Sequence, residues 1–385
     1  MAALSPFVPP PYPYARLDAL KRQAAEAPGG IVDLSIGTPC DPVPEIVTRA
    51  LASAGPRWAG YPVAAGLPPL REAASGWLER RLGVSVPPAQ VVACVGTKEL
   101  VASLPHALRL RDPSRDTVLY PAISYPTYEM GAILAGCRAV PVPLGDGWHP
   151  DLTTVTEEDA GRALLLWLNE PGNPTGSAAT TEELAAAVEW GRDRGITVAS
   201  DECYVEFVYG DDDRPVPWRA TALAAGADGV LAVHSLSKRS NMAGYRSGFV
   251  AGDRVLVAYL AQVRSHAGLM VPGPVQDAGA VAWADDTHVD AQREVYAERR
   301  ALVRARLESA GLIDAGGPGT FYLWARSVDP DEDGWAIAAR LAATGTLVAA
   351  GDLYGPGGAP YVRIALVQPR DRLELAFDRL VAAHA

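Results

Sequence analysis

Residues 230–251 read VLAVHSLSKRSNMAGYRSGFVA, and this stretch decides the fold. An apolar β-type run at 230–233 stops in a polar cluster, His234-Ser235-Leu236-Ser237-Lys238, and a second apolar run resumes at 249–251. A short run without alternation suits a strand covered on both faces, as in a parallel sheet between helices. The same pattern recurs upstream. Strand candidates at 91–95, 117–120, 163–168 and 196–199 alternate with amphipathic segments such as 70–82 and 182–193. The second of these is opened by a Thr180-Thr181 cap with acidic residues in its first turn. Strand–helix alternation predicts an α/β fold with a mostly parallel sheet flanked by helices.

The last hundred residues have a different style. A long charged helix at 288–310 leads to a strand at 320–325, a helix near 335–344, a glycine-rich loop from Gly351 to Gly358, and a strand at 361–367. This predicts a second, smaller α+β domain. The expected organisation is an N-terminal arm over residues 1–45 that joins the small domain, a large domain over 46–284, and a small domain over 285–385. The arm is proline-rich (Pro6, Pro9, Pro10, Pro11, Pro13) and expected to run extended, either as a frayed tail or laid across a second subunit.

Bulk properties exclude several classes. With 385 residues, 49% of them hydrophobic, the chain has material for a large core and two lobes. Net charge is −11 with no basic run, which argues against a nucleic-acid partner. No apolar run approaches the ~20 residues of a membrane span, and the N-terminus lacks the basic start and apolar stretch of a secretory signal. A cytoplasmic protein is expected. Cys40, Cys94, Cys137 and Cys203 form no CxxC and are expected to be small, buried or partly buried residues in a reducing compartment. The six histidines show no metal-ligand spacing, so no metal is expected. The chain has only three lysines, Lys21, Lys98 and Lys238, against thirty-one arginines. An amine nucleophile must come from that short set.

In open parallel sheets ligands gather at the carboxyl ends of strands. Polar clusters stand there four times: Gly96-Thr97-Lys98, the stretch Asn169 to Gly176 (NEPGNPTG), Asp201-Glu202-Cys203-Tyr204, and His234 to Lys238. Lys238 is the centre. A lysine beside cationic or desolvating groups loses its proton readily and can form a Schiff base with an aldehyde. Ser235, Ser237 and Arg246 offer hydroxyls and a guanidinium, a set suited to a phosphate. Gly96-Thr97-Lys98 opens a helical segment at 99–107, whose free N–H groups make a phosphate seat; the alternative is a simple turn with Thr97 as N-cap. Asp201 is either an ordinary cap or a partner for a pyridinium nitrogen, keeping the ring an electron sink. Tyr204 and Asn173 stand where they can donate hydrogen bonds to such a ring's phenolate oxygen.

SxSK with an arginine eight residues after the lysine, NxPxNPTG, and DExY together resemble class I/II aminotransferases of pyridoxal-phosphate (PLP) fold type I, over Gly37 to Arg363. The resemblance implies a PLP-dependent aminotransferase. Lys238 would be the Schiff-base lysine, Asp201 the pyridine-nitrogen partner, and Tyr204 and Asn173 the phenolate contacts. Gly96, Thr97, Lys98, Ser235, Ser237 and Arg246 would form the phosphate cup. Tyr125 matches the aromatic stacked on the cofactor ring, or is a core tyrosine. Tyr61 matches a tyrosine that reaches the phosphate of the other subunit, implying a homodimer with shared active sites. Gly37 matches the glycine beside the substrate carboxylate, and Arg363 the arginine that grips it.

Finer likeness points to actinobacterial succinyldiaminopimelate aminotransferases of lysine biosynthesis, through AVHSLSKRSNMAGYRSGFVAGD, VGTKELV and SDECY. The chain departs from that pattern at Asn169-Glu170-Pro171-Gly172, where Ser-Pro-Ser is typical, and at 211–218. The implied reaction is ping-pong amino transfer from N-succinyl-LL-2,6-diaminopimelate to 2-oxoglutarate, with Arg239 or Arg264 as partners for the further carboxylates. Two rivals share the cofactor set: a PLP lyase or decarboxylase, and a PLP-sensing transcription regulator. The regulator is opposed by the early position of Gly37 and the acidic balance. A dehydrogenase is opposed because no GxGxxG follows the first strand; the glycines at Gly316, Gly317 and Gly319 lie in the wrong context.

Overall fold

The computed structural model describes residues 7–384; residues 1–6, with Pro6 of the arm, and Ala385 lie outside it. The first strands are β1 (Val32–Asp33), β2 (Val91–Cys94), β3 (Thr117–Pro121), β4 (Arg138–Val142), β5 (Ala163–Asn169), β6 (Thr197–Asp201), β7 (Val230–Ser235) and β8 (Gly248–Gly252). Seven of them form one sheet in the order β2-β8-β7-β6-β5-β3-β4. The run from β7 to β4 is parallel, and β8 alone runs against the other six strands. The architecture is therefore α/β with a mostly parallel sheet, as the alternation predicts.

Every residue of β5 and β7 is buried. Their side chains divide between two cores: Leu166, Leu168, Val230 and Ala232 face one way, and Leu165, Trp167, Leu231 and Val233 the other. Covering both faces explains the unbroken apolar runs. The helix Thr181–Asp193 begins at a Thr180 capping box: Glu183 N–H donates to Thr180 Oγ1 at 3.2 Å, and Thr180 N–H to Glu183 Oε2 at 2.8 Å.

The remaining strands are β9 (Leu312–Asp314), β10 (Tyr322–Ser327), β11 (Thr346–Leu347), β12 (Ala349–Ala350) and β13 (Tyr361–Ala365). They make a four-stranded antiparallel sheet, β12-β13-β10-β9, and β11 pairs with β1 of the arm. The helices Thr287–Leu307, Gly334–Ala343 and Arg370–His384 pack on this part of the chain.

Several elements differ from the sequence reading. β10 starts two residues late because Thr320 sits at φ 68° and donates its N–H to Phe207 O, which turns the chain before the strand begins. The helix expected at 99–107 runs Thr97–Arg111 through Pro105, whose missing N–H is tolerated on a helix with six buried residues. Its N-cap is Gly96, not Thr97. The edge strand β4, with only Val142 buried, was not anticipated. Cys40 is exposed rather than buried, while all four cysteines are free thiols.

Below the sheet, Arg239 reaches from beside Lys238 into an aromatic layer, lying 5.1 Å over Trp283 and 5.7 Å over Trp77. Its Nε donates to Glu206 Oε1 at 3.2 Å, and Glu206 also accepts from Trp77 Nε1 and Arg81. These side chains are 2% and 7% exposed. Removing one member of such a pair strands a buried charge, at a cost of about 3–5 kcal/mol. Glu206→Ala is therefore expected to lower the urea unfolding midpoint strongly. Arg49→Ala, which breaks an exposed pair with Glu45, should leave it nearly unchanged.

Candidate active site

Strand register brings the polar clusters to one edge. Asn169 pairs with Asp201, Asp201 with Val233, Ser235 with Gly248, and Gly248 with Cys94. The carboxyl ends of β2, β5, β6 and β7 thus surround a cavity of about 470 Å³ lined by Gly37, Thr97, Lys98, Tyr125, Asn173, Asp201, Tyr204, Ser235, Ser237, Lys238, Arg246 and Arg363. Twelve of the fourteen residues that the resemblance assigned to the cofactor and the substrate α-carboxylate meet there. Gly96 stands just behind: at φ 72° it takes a backbone conformation that favours glycine, and a Cβ would collide with the Arg246 guanidinium. Tyr61 does not join them; it is 96% exposed.

Lys238 lies on the short helix Leu236–Arg239, capped by Ser235 Oγ, which accepts from Ser237 N–H at 3.1 Å. Its Nζ donates to Gly37 O. Removal from water, then the positive charges of Arg363 and Arg246, push its pKa down to about 8. The amine is thus prepared as a nucleophile and proton carrier.

Asp201, at the end of β6, is buried and lines the same cavity. It accepts from Tyr128 Oη at 2.9 Å and from Cys203 N–H at 3.3 Å. Burial raises its pKa, and these hydrogen bonds oppose the rise. Tyr204 Oη lies 3.0 Å from Tyr322 Oη. Thr97 Oγ1 accepts from Cys203 Sγ at 3.4 Å, so it does not cap its own helix.

Arg363, on β13, is 2% exposed. Nη1 donates to Asn173 Oδ1 at 2.8 Å and Nη2 to Ser35 O at 2.7 Å, while the guanidinium stacks 4.1 Å over Tyr322. Its Nε is buried without a protein partner. Arg246 donates to the carbonyls of Ala243 and Val95. Neither arginine has a carboxylate partner among the described residues. Two desolvated cations with donors to spare, and a buried carboxylate with no cation among the described residues, form a site that suits an anionic ligand carrying a basic centre. The donor set fits PLP: Arg246, Ser235, Ser237 and the helix start at Thr97 toward a phosphate, Asp201 toward the ring nitrogen, and Lys238 toward the aldehyde.

Sequence reasoning missed four tyrosines. Tyr12 and Tyr14 of the arm line the cavity; Lys98 Nζ donates to Tyr12 Oη at 3.3 Å, and Tyr14 Oη lies 2.7 Å from Tyr354 Oη. Tyr322 packs under Arg363, and Tyr128 under Asp201. Only Tyr128 left a local signal, its spacing of three from Tyr125. Arg239 and Arg264, expected to meet distal carboxylates, are outside the cavity. Arg239 is committed to Glu206 and Asp286, and Arg264 to Glu99 at 2.9 and 2.7 Å. Their charge is already neutralised by buried or half-buried acids.

Fold and site together are those of a cofactor-dependent enzyme that works on the amino group of a carboxylate substrate. The chain belongs to the class I and II aminotransferases, whose family model matches residues 30–380, and that family is PLP-dependent. It is 45% identical over 96% of its length to 4-dedimethylamino-4-oxo-anhydrotetracycline transaminase of Streptomyces rimosus, covering 99% of that protein. It is 34% identical to the LL-diaminopimelate aminotransferase of Aquifex aeolicus, covering 96% of each. A probable N-succinyldiaminopimelate aminotransferase from Thermus thermophilus superposes with a TM-score of 0.86 at 34% identity, over 96% of this chain and 100% of that one. No described helix is long and apolar enough to cross a membrane, and no described cluster could hold a metal.

The depressed pKa makes Lys238 testable. The neutral amine reacts with aldehydes, so its modification rate in cofactor-free protein should rise with pH to a plateau above about 8, where an ordinary lysine at 10.5 is still mostly charged. Borohydride trapping with peptide mass spectrometry reads this; a midpoint near 10.5 would contradict the desolvated site.

Proposed function

We propose that this aminotransferase transfers the amino group of N-succinyl-LL-2,6-diaminopimelate to 2-oxoglutarate, as a homodimer with shared active sites. The observation that carries the catalytic part is the meeting of Lys238, Asp201 and Arg363 in one cavity. Bound PLP supplies an electrophilic carbon and an electron sink. Arg363 binds the substrate α-carboxylate through its spare donors and so orients Cα toward Lys238. Lys238 Nζ would take and return the Cα proton, for which a pKa of about 8 is well matched. Asp201 holds the proton on the ring nitrogen. Tyr204 and Asn173 serve the phenolate oxygen, and Gly96, Thr97, Lys98, Ser235, Ser237 and Arg246 the phosphate, with Tyr125 against the ring.

Support for the donor comes from likeness to the diaminopimelate-type enzymes. The higher identity to the Streptomyces rimosus transaminase favours a second reading, a bulky cyclic ketone as amino acceptor. The exposed Tyr61, with Val63 at 52% exposure beside it, supports placing Tyr61 in the site of a second copy. We further read residues 1–45 as an arm joining the small domain at 285–385, and 46–284 as the large domain; all strands of the seven-stranded sheet fall within the last. A cytoplasmic location fits this metabolism.

A single-turnover panel, following conversion of the bound cofactor to its amine form, should give the fastest reaction with the succinylated donor. A faster reaction with another amino acid, or amination of a tetracycline-type ketone, would overturn that assignment. Product formed without any 2-oxo acid would mark a lyase or decarboxylase. Arg363→Ala should raise KM for the amino acid about a hundredfold, the scale of losing a buried charged contact. Sedimentation should show a dimer, and Tyr61→Phe should weaken cofactor retention without dissociating it.

A further inference from the structure

Tyr128 closes the stretch Ser124-Tyr125-Pro126-Thr127-Tyr128, was given no role from the sequence, and lines the cavity beside Asp201. It sits on the first turn of the helix Thr127–Leu134, and its N–H donates at 3.1 Å to the carbonyl of Tyr125, which precedes the helix; both side chains line the cavity. The ring is fully buried, tilted against Trp167 at 5.1 Å and edge-on to Tyr125 at 6.3 Å. From that fixed position its hydroxyl donates to Asp201 Oδ2 at 2.9 Å. The other oxygen, Oδ1, receives the Cys203 backbone N–H at 3.3 Å, and the Cys203 thiol also interacts with the carboxylate. No lysine, arginine or histidine pairs with Asp201 among the described residues.

The titratable groups facing Asp201 are Tyr128 from the helix, Cys94 from β2, and Glu202 and Cys203 on its own segment. Burial and the proximity of Asp201 hold Tyr128 well above its ordinary pKa. It is a neutral phenol throughout the working range, and its one O–H is donated in a hydrogen bond to the carboxylate.

We propose that Tyr128 is a positioning residue for the transamination: its hydroxyl orients the Asp201 carboxylate and keeps it ionised for the cofactor's ring nitrogen. This rests on the role of Asp201 proposed above. A hydrogen bond donated to a carboxylate favours its charged form. Without it the Asp201 pKa rises, and the charge that stabilises the ring-nitrogen proton is lost at a higher pH. Tyr128 touches neither substrate nor the reacting atoms and acts only through Asp201.

Tyr128→Phe keeps the packing and removes the donor. In the variant, the cofactor-free protein should bind PLP about tenfold more weakly at neutral pH, the scale of one hydrogen bond to a charged group. The acid limb of its kcat/KM profile should move upward, while the limb set by Lys238 stays. Added to Asp201→Asn, the same change should cost no more than about twofold, since its acceptor is already altered. An unshifted acid limb with wild-type affinity would overturn the inference, as would an undiminished loss on the Asp201→Asn background. If Asp201→Asn alone binds PLP and turns over like wild type, the reading of Asp201 fails first, and that of Tyr128 with it.

Discussion

The site depends on the register of the parallel strands. Because Asn169, Asp201 and Val233 sit side by side across β5, β6 and β7, whatever follows each strand is delivered to the same edge. Continuous apolar strands hold that alignment: shifting β6 by one residue would turn Val198 and Ala199 into the wrong cores and carry Asp201 to the other face. The functional loops are therefore ordered by the burial of the strands beneath them.

The charges of the cavity follow from the same burial. Lys238, Arg246 and Arg363 share a pocket in which none has a carboxylate partner among the described residues, while Asp201 lines the same pocket and is bonded to neutral donors. Elsewhere the chain neutralises its buried cations: Arg239 with Glu206 and Asp286, Arg264 with Glu99, Arg299 with Asp41. Uncompensated charge is costly in the interior, so its concentration at one edge marks where a ligand completes the electrostatics. The lowered pKa of Lys238 is one consequence.

The small sheet contributes the other half of the site. Arg363 enters from β13, with Tyr322 from its neighbour β10 as the stacking surface. Gly37, on the segment after β1, has no room for a Cβ beside the Tyr322 hydroxyl, and its carbonyl instead meets Lys238. The arm then closes over these groups: Tyr14 reaches Tyr354, and Arg16 pairs with Asp352 at 3.1 Å. A stretch that reads as a proline-rich tail is therefore part of the cavity wall from Tyr12 onward.

By itself the sequence determined the α/β architecture, the family, and most of the residues that line the cavity, because those features are local. An apolar run, the polar residues after it and a glycine at a helix start are readable within a few positions of one another. Lys238 stood out as one of three lysines and in a patterned setting. Only the tertiary structure decided which charged groups were free and which were spent. Arg239 and Arg264 look as available as Arg246 in the sequence, but Glu206 and Glu99 claim them across 33 and 165 positions. Tyr14 and Tyr354 meet across 340. Contacts of that kind arise when separate elements pack, and no local spacing encodes them. Tyr61, which the resemblance grouped with the site, is 96% exposed and stands away from the cavity, another outcome that no local spacing encodes.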